Sequence, residues 1–227
     1  MSDPKPLTET TKYQNWHAHL DENGIKVNGI YPLYVHRAQK DESVLYALLK
    51  VDAQTPEGTK LNPICFLKGD AVSMLVVLID QQTDEKYVVL VRQRRIGDGS
   101  LTYEHPAGMI DETDSSPFDV AVRELGEETG LSIDPSHVKP LFSRPLFSAT
   151  ATSDEALYFF YYEQRMALAD INALDGKSTG KEGENEHTQL HIATFPEAQE
   201  RVVNLHGVLA HLLYLKQVGD YGLMSQL

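Results

Sequence analysis

Two apolar runs organise the centre of the chain: Ala71 to Ile79 (AVSMLVVLI) and Tyr87 to Val91 (YVVLV). Both are far too short to span a bilayer and read as buried strands, the second running on to Arg92. The polar stretch QQTDEK between them reads as a hairpin. Further strands are predicted at Leu101 to His105, Leu157 to Glu163 and Gln189 to Phe195. Helices are predicted at Pro117 to Thr129, Pro196 to Val203 and His206 to Val218. Strands and helices mix without strict alternation, which predicts an α+β domain with a mixed sheet between helices. This body is assigned to residues 68–227. Residues 1–67 read as a separate small β-rich unit, with a short helix at Tyr13 to Leu20 and strands at Gly29 to Val35 and Ser43 to Val51. The stretch DAQTPEGTKLNP (Asp52 to Pro63) carries Pro and Gly and reads as a turn or linker. A unit with so few strands is not expected to be stable alone.

Composition narrows the class. The chain has 227 residues, 41% hydrophobic and 23% charged, an ordinary globular balance. Its start, MSDPKPLTETTKY, lacks the basic and apolar pattern of a signal peptide, so a cytoplasmic protein is expected. A single cysteine, Cys65, rules out an internal disulfide and a cysteine metal cluster. The net charge of −13 argues against broad binding to nucleic acid or to an anionic membrane. A chain this acidic needs a bound cation or placed arginines to handle an anionic substrate.

The segment from Pro106 to Leu131 (PAGMIDETDSSPFDVAVRELGEETGL) answers that need. Ser115 or Ser116 is the expected N-cap, Pro117 suits the first turn, Asp119 complements the positive helix end, and Gly130 supplies the stop. Phe118, Ala121, Val122 and Leu125 share a face expected to pack on the sheet. Glu124, Glu127 and Glu128 stand three and four residues apart and project together. They repel one another and lie in the last turn, where the helix dipole disfavours negative charge. A divalent cation reverses the sign of that arrangement, and carboxylates with water suit Mg²⁺ or Mn²⁺. A solvated acidic face is the ordinary explanation of paired glutamates. Here it must also account for Arg123, the Pro-Ala-Gly turn and Gly130 as coincidence.

The segment resembles the Nudix box. Arg123, Glu124, Leu125, Glu127, Glu128, Gly130 and Leu131 match its second half. Its first half departs, because Gly108 lies one residue too far from Arg123; either Glu112 or Asp114 takes the place of the first glutamate. The resemblance implies a Nudix fold, an α/β/α sandwich with a mixed sheet. It implies Glu124 and Glu128 as main metal ligands, with Glu127 and the Ala107 carbonyl as further ones. It also implies that Arg123 orients the glutamates.

The flanks resemble the branch of the family that hydrolyses sugar nucleotides, through Gln93, Arg95, Glu104, Pro106, Ala107 and Gly108. Residues from about Trp16 through Ile79 also resemble ADP-sugar diphosphatases of the plant type. The activity implied is metal-dependent hydrolysis of an ADP-sugar, such as ADP-glucose or ADP-ribose, by a homodimer. Arg92 and Arg95 are candidate phosphate clamps, with Glu104 and Glu155 beside the substrate. In the resembling enzymes a late loop carries the catalytic glutamate, and Glu184 and Glu186 match it; Asp154 and Glu155, just before a strand, and a glutamate of the box are the other candidate bases. Three alternatives stay open: a Nudix enzyme for another substrate, such as ADP-ribose alone, GDP-mannose, a dinucleoside polyphosphate or coenzyme A; a silent nucleotide sensor; and a structural or interaction protein whose acidic helix is only surface. The nine histidines show no zinc-ligand spacing and read as surface or core residues.

Overall fold

The computed structural model describes residues 5–112, 114–179 and 188–227. The chain divides into two compact units. The first joins residues 1–71 to two later segments, 109–114 and 146–157; the second holds 72–108, 115–145 and 158–227.

In the first unit, helix α1 (Thr11–Glu22) precedes a three-stranded antiparallel sheet of β1 (Lys26–Arg37), β2 (Val44–Gln54) and β3 (Ile64–Leu67), in that order. Thr10 caps α1 through its side chain, and Glu112 accepts the N–H of Thr11 at 2.8 Å. Alternation along β2 buries Ala47, Leu49, Val51 and Ala53 with Leu67 and Cys65, and Tyr13 and Trp16 of α1 pack on this cluster. The opposite face carries a row of rings. His36 stacks on Tyr46 at 4.7 Å, and Tyr46 meets Phe66 at 5.3 Å. Tyr31 and Tyr34 are more than half exposed. The strands run longer than the apolar pattern indicates, and β2 continues into the stretch assigned to a linker.

The later segments join this unit through buried polar contacts. Asp154 accepts the N–H groups of Lys68 (2.7 Å) and Gly69 (3.0 Å). Gly69 has φ +83°, a conformation that L side chains rarely adopt. Lys12 donates to the carbonyls of Leu45 (2.7 Å) and Lys68 (3.2 Å). Burial pushes the Lys12 ammonium down and the Asp154 carboxyl up.

The second unit is built on a mixed sheet, as expected. The strands of this sheet are β4 (Ala71–Asp80), β5 (Lys86–Arg94), β6 (Leu101–Glu104), β7 (Ala107–Met109), β8 (Val138–Pro140), β9 (Leu146–Phe147), β10 (Ala156–Met166), β11 (Ser178–Thr179) and β12 (Thr188–Thr194). The order is β11-β12-β5-β4-β10-β8, with β6 on β5, β7 on β4, and β9 on the first residues of β10 within the first unit. Every residue of β4 is buried, which explains its unbroken apolar run. Asp80 closes the β4–β5 hairpin by accepting from Thr83 Oγ1 at 2.6 Å.

The helices are α2 (Pro117–Thr129), α3 (Leu168–Asn172), α4 (Phe195–Arg201), α5 (Leu205–Val218) and α6 (Tyr221–Met224). Successive residues of β10 show the layering. Phe160 meets Phe118 of α2 (6.2 Å), and Tyr161 meets Tyr214 of α5 (5.3 Å). Neighbours on a strand point to opposite faces, so α2 and α5 cover opposite sides of the sheet. That is an α/β/α sandwich. Among the described residues no helix is long and apolar enough to cross a membrane.

Candidate active site

Helix α2 starts and stops where its sequence dictates. Ser116 is the N-cap, its hydroxyl accepting the N–H of Asp119 at 3.1 Å, and Gly130 ends the helix at φ 66°. The buried face is Val120, Ala121, Leu125 and Thr129. It is turned slightly from the face the sequence indicates: Phe118 is 36% exposed and Val122 half-buried.

The carboxylates of α2 meet the start of β7, just after the turn that joins it to β6. Glu128 accepts the N–H of Ala107 at 3.0 Å. Glu124 lies against the bare Cα of Gly108, where a Cβ would stand 2.4 Å from its Cδ. Arg123 bridges Glu124 at 2.7 Å and Glu127 at 3.5 Å. The turn is tied to the sheet by the Pro106 carbonyl, which accepts from Met74 N–H at 2.8 Å. Three carboxylates and the carbonyl of Ala107 offer only oxygen donors, the set that a hard divalent cation takes. Among the described residues no three His, Cys, Asp or Glu side chains are drawn close enough together to hold an ion by themselves.

At the end of β5, Arg95 pairs with Glu104 through two nitrogens, Nη2 at 2.9 Å and Nε at 3.1 Å. Thr102 Oγ1 also donates to Glu104, at 2.7 Å. Burial works to raise the Glu104 carboxyl, but these donors outweigh it and hold the group below the usual carboxylate range. Arg92 donates to Gln189 of β12.

Arg92, Arg95, Glu104, Ala107, Arg123, Glu124, Glu127 and Glu128 therefore all belong to the second unit. Glu155 belongs to the first, where Lys68 pairs with it and Ser148 donates to it at 2.7 Å. Glu184 and Glu186 lie outside the described residues. Of the two acids considered for the first half of the motif, Glu112 takes Thr11 N–H and Lys5 (2.7 Å). Asp114 accepts the N–H of Asp111 at 2.7 Å.

Sequence reading passed over a buried histidine pair beside the turn. Nε2 of His105 lies 2.9 Å from Nε2 of His211. The two are 106 residues apart and share no local pattern. Burial holds both below the usual histidine range, His211 down to about 4.

The NUDIX domain matches residues 69–208 of the chain. Nudix hydrolase 14, chloroplastic, of Arabidopsis thaliana is 27% identical over a 226-residue alignment that takes in 94% of this chain and 72% of that protein. ADP-sugar pyrophosphatase of Mus musculus is 38% identical over 87 residues, 38% of this chain and 39% of that protein. A crystal structure of an ADP compounds hydrolase shares the fold at TM-score 0.58 and 17% identity, covering 87% of this chain and 96% of that one.

Proposed function

The chain belongs to the Nudix family and is a Nudix hydrolase, and on that premise we propose that it splits the pyrophosphate bond of a nucleoside diphosphate sugar. The proposed substrate is an ADP-sugar such as ADP-glucose or ADP-ribose, and the products are a nucleoside monophosphate and a sugar phosphate. One observation carries the reading: Glu128 accepts the N–H of Ala107 and Glu124 lies against Gly108, consecutive residues at the start of β7, while Arg123 bridges Glu124 and Glu127.

Nudix enzymes generally use divalent metal ions. Glu124, Glu127, Glu128 and the Ala107 carbonyl would hold Mg²⁺ or Mn²⁺ here. Such an ion supplies positive charge against the pyrophosphate and makes water acidic enough to attack near neutral pH. Arg123 holds the glutamates in register through charge-assisted hydrogen bonds. A glutamate of the late loop, Glu184 or Glu186, or Glu127 of the helix, takes the proton of the attacking water. Arg95 has the planar charge that a phosphate requires, and its pairing with Glu104 fixes the plane in advance. Arg92 is proposed as a second contact to the substrate.

The unit built on residues 1–67 is proposed to join two copies into a homodimer. Support comes from its sheet, buried under α1 on one face and lined on the other by exposed Tyr31 and Tyr34. Phosphate release from ADP-glucose, ADP-ribose and GDP-mannose, with Mg²⁺ and a coupled phosphatase, tests the activity. An ADP-sugar should be preferred, and chelation should stop the reaction. No turnover of any member would sink the substrate assignment and favour another Nudix substrate class or a silent nucleotide-binding role.

A further inference from the structure

His105 and His211 are 2% and 0% exposed, with their Nε2 atoms 2.9 Å apart. Two ring nitrogens in such contact need one proton between them, so one ring donates and the other accepts. The direction is set from outside the pair. Nδ1 of His211 lies 2.9 Å from the side-chain oxygen of Gln199 in α4, and an amide oxygen only accepts. Nδ1 of His211 therefore carries its hydrogen, its Nε2 is bare, and His105 donates to it. What remains is Nδ1 of His105, a buried nitrogen with no hydrogen-bond partner among the described residues. This direction leaves a bare acceptor there rather than an orphaned N–H, the rarer and costlier case.

A Phe or Leu pair would fill the same space without burying polar atoms, so the hydrogen bonds need another reason. Their place on the chain supplies one. His105 stands between Glu104, which holds Arg95, and Pro106, whose carbonyl is tied to β4. Of the next two residues, Ala107 donates its N–H to Glu128 and Gly108 lies against Glu124. We propose that the directed chain Gln199–His211–His105 is a positioning device that anchors the 104–108 turn to α4 and α5, so that Glu124 and Glu128 keep their places on it. The proposal rests on reading that turn as part of the metal site. Outer partners that orient a metal's ligands typically change affinity by about 10–100-fold when removed.

The test uses the full chain and its His211→Phe, His211→Gln and Gln199→Met variants. Ring ¹⁵N spectra should show the Nδ1–H tautomer at His211 and the Nε2–H tautomer at His105. Phe keeps the ring volume and loses both bonds, whereas the Gln amide oxygen can still accept from His105. Mn²⁺ affinity, measured by calorimetry with the metal alone, should fall about tenfold in His211→Phe and be largely restored in His211→Gln. Hydrogen exchange of the Ala107 amide should quicken in the Phe variant and recover in the Gln variant. Gln199→Met, at a half-buried position, should shift both readouts in the same direction even if the Phe variant does not fold. Reversed tautomers, or unchanged Ala107 exchange in folded variants, would overturn the proposal. Wild-type protein that binds no Mn²⁺ would overturn the metal reading alone, because Ala107 exchange still decides whether the chain of bonds holds the turn.

Discussion

The carboxyl group of Glu124 occupies the space into which any side chain at Gly108 would project. A Cβ there would lie 2.4 Å from Cγ and Cδ of Glu124 and 2.6 Å from its Oε1. The contact is with the end of a flexible side chain, so Gly108→Ala can be relieved by swinging Glu124 aside. The expected result is a protein that melts within a few degrees of wild type, since a well-relieved substitution costs less than ~1.5 kcal/mol. Its kcat/KM should fall by about 100-fold, the scale on which a misplacement of ~1 Å acts. A thermal melt beside a kinetic assay separates the two effects. Near-normal turnover would show that Glu124 can work from another position.

Glu128 accepts a backbone N–H, a contact that an amide oxygen can also make. Glu128→Gln should therefore fold normally while turnover drops by about 10²–10³-fold, the loss typical of removing one group that stabilises transition-state charge. Chelation of the wild type should abolish turnover, and added Mg²⁺ should restore it. The same addition should not rescue the variant. Assays at matched free Mg²⁺ check this.

Burial pushes the His211 imidazole down to about 4, whereas an unfolded histidine titrates near ~6.5. Between those values the unfolded chain binds a proton that the folded chain refuses. This contribution to stability is therefore fully present above ~6.5 and is lost as pH falls towards 4. One such group gives a slope of about 1.4 kcal/mol per pH unit. Urea denaturation at pH 7.5, 6.0 and 5.0 should show the decline, and His211→Gln should make it shallower by the equivalent of one proton. An unchanged slope in the variant would mean that other groups govern the acid side.

Glu112 accepts the N–H of Thr11, the first residue of α1, and pairs with Lys5 at 2.7 Å. Burial works to raise this carboxyl, but its hydrogen bonds hold it below the usual range. The contacts are those of a helix cap supplied from a distant part of the chain. Glu112→Ala should cost about 0.5–2 kcal/mol of stability, as loss of a cap does. Turnover should stay within about twofold of wild type by this account. A large loss of turnover at unchanged stability would instead give Glu112 the supporting role in the active site.

Helix α2 was legible, with its N-cap narrowed to Ser115 or Ser116, because its signals are local: Ser116, Pro117 and Gly130 stand within one stretch and act on their own backbone. The β4–β5 hairpin was legible for the same reason, with an unbroken apolar run on one side and Asp80 and Thr83 in the turn. Strands of two or three residues, such as β7 and β9, have too few positions to show a period of two. Partners far along the chain were invisible as well. Nothing near Glu155 points to Lys68, 87 residues earlier, and nothing near His105 points to His211. Residues 109–114 and 146–157 look like ordinary loop and strand in sequence. Their membership of the first unit depends on bonds such as Asp154 to the N–H of Lys68, which has no local signature.

That composite first unit bears on how the chain folds as it is made. Residues 1–71 supply most of it, but it is complete only when residue 157 is available, 86 residues later. At a synthesis rate of about 5–20 residues per second, the delay is about 4–17 s. For that interval the sheet of β1, β2 and β3 lacks Asp154, and the backbone N–H groups of Lys68 and Gly69 have no carboxylate to meet. The early-made part of this protein must wait on the late-made part. Slowing synthesis between residues 71 and 157 should therefore lengthen the exposure of its half-finished core to proteases and chaperones.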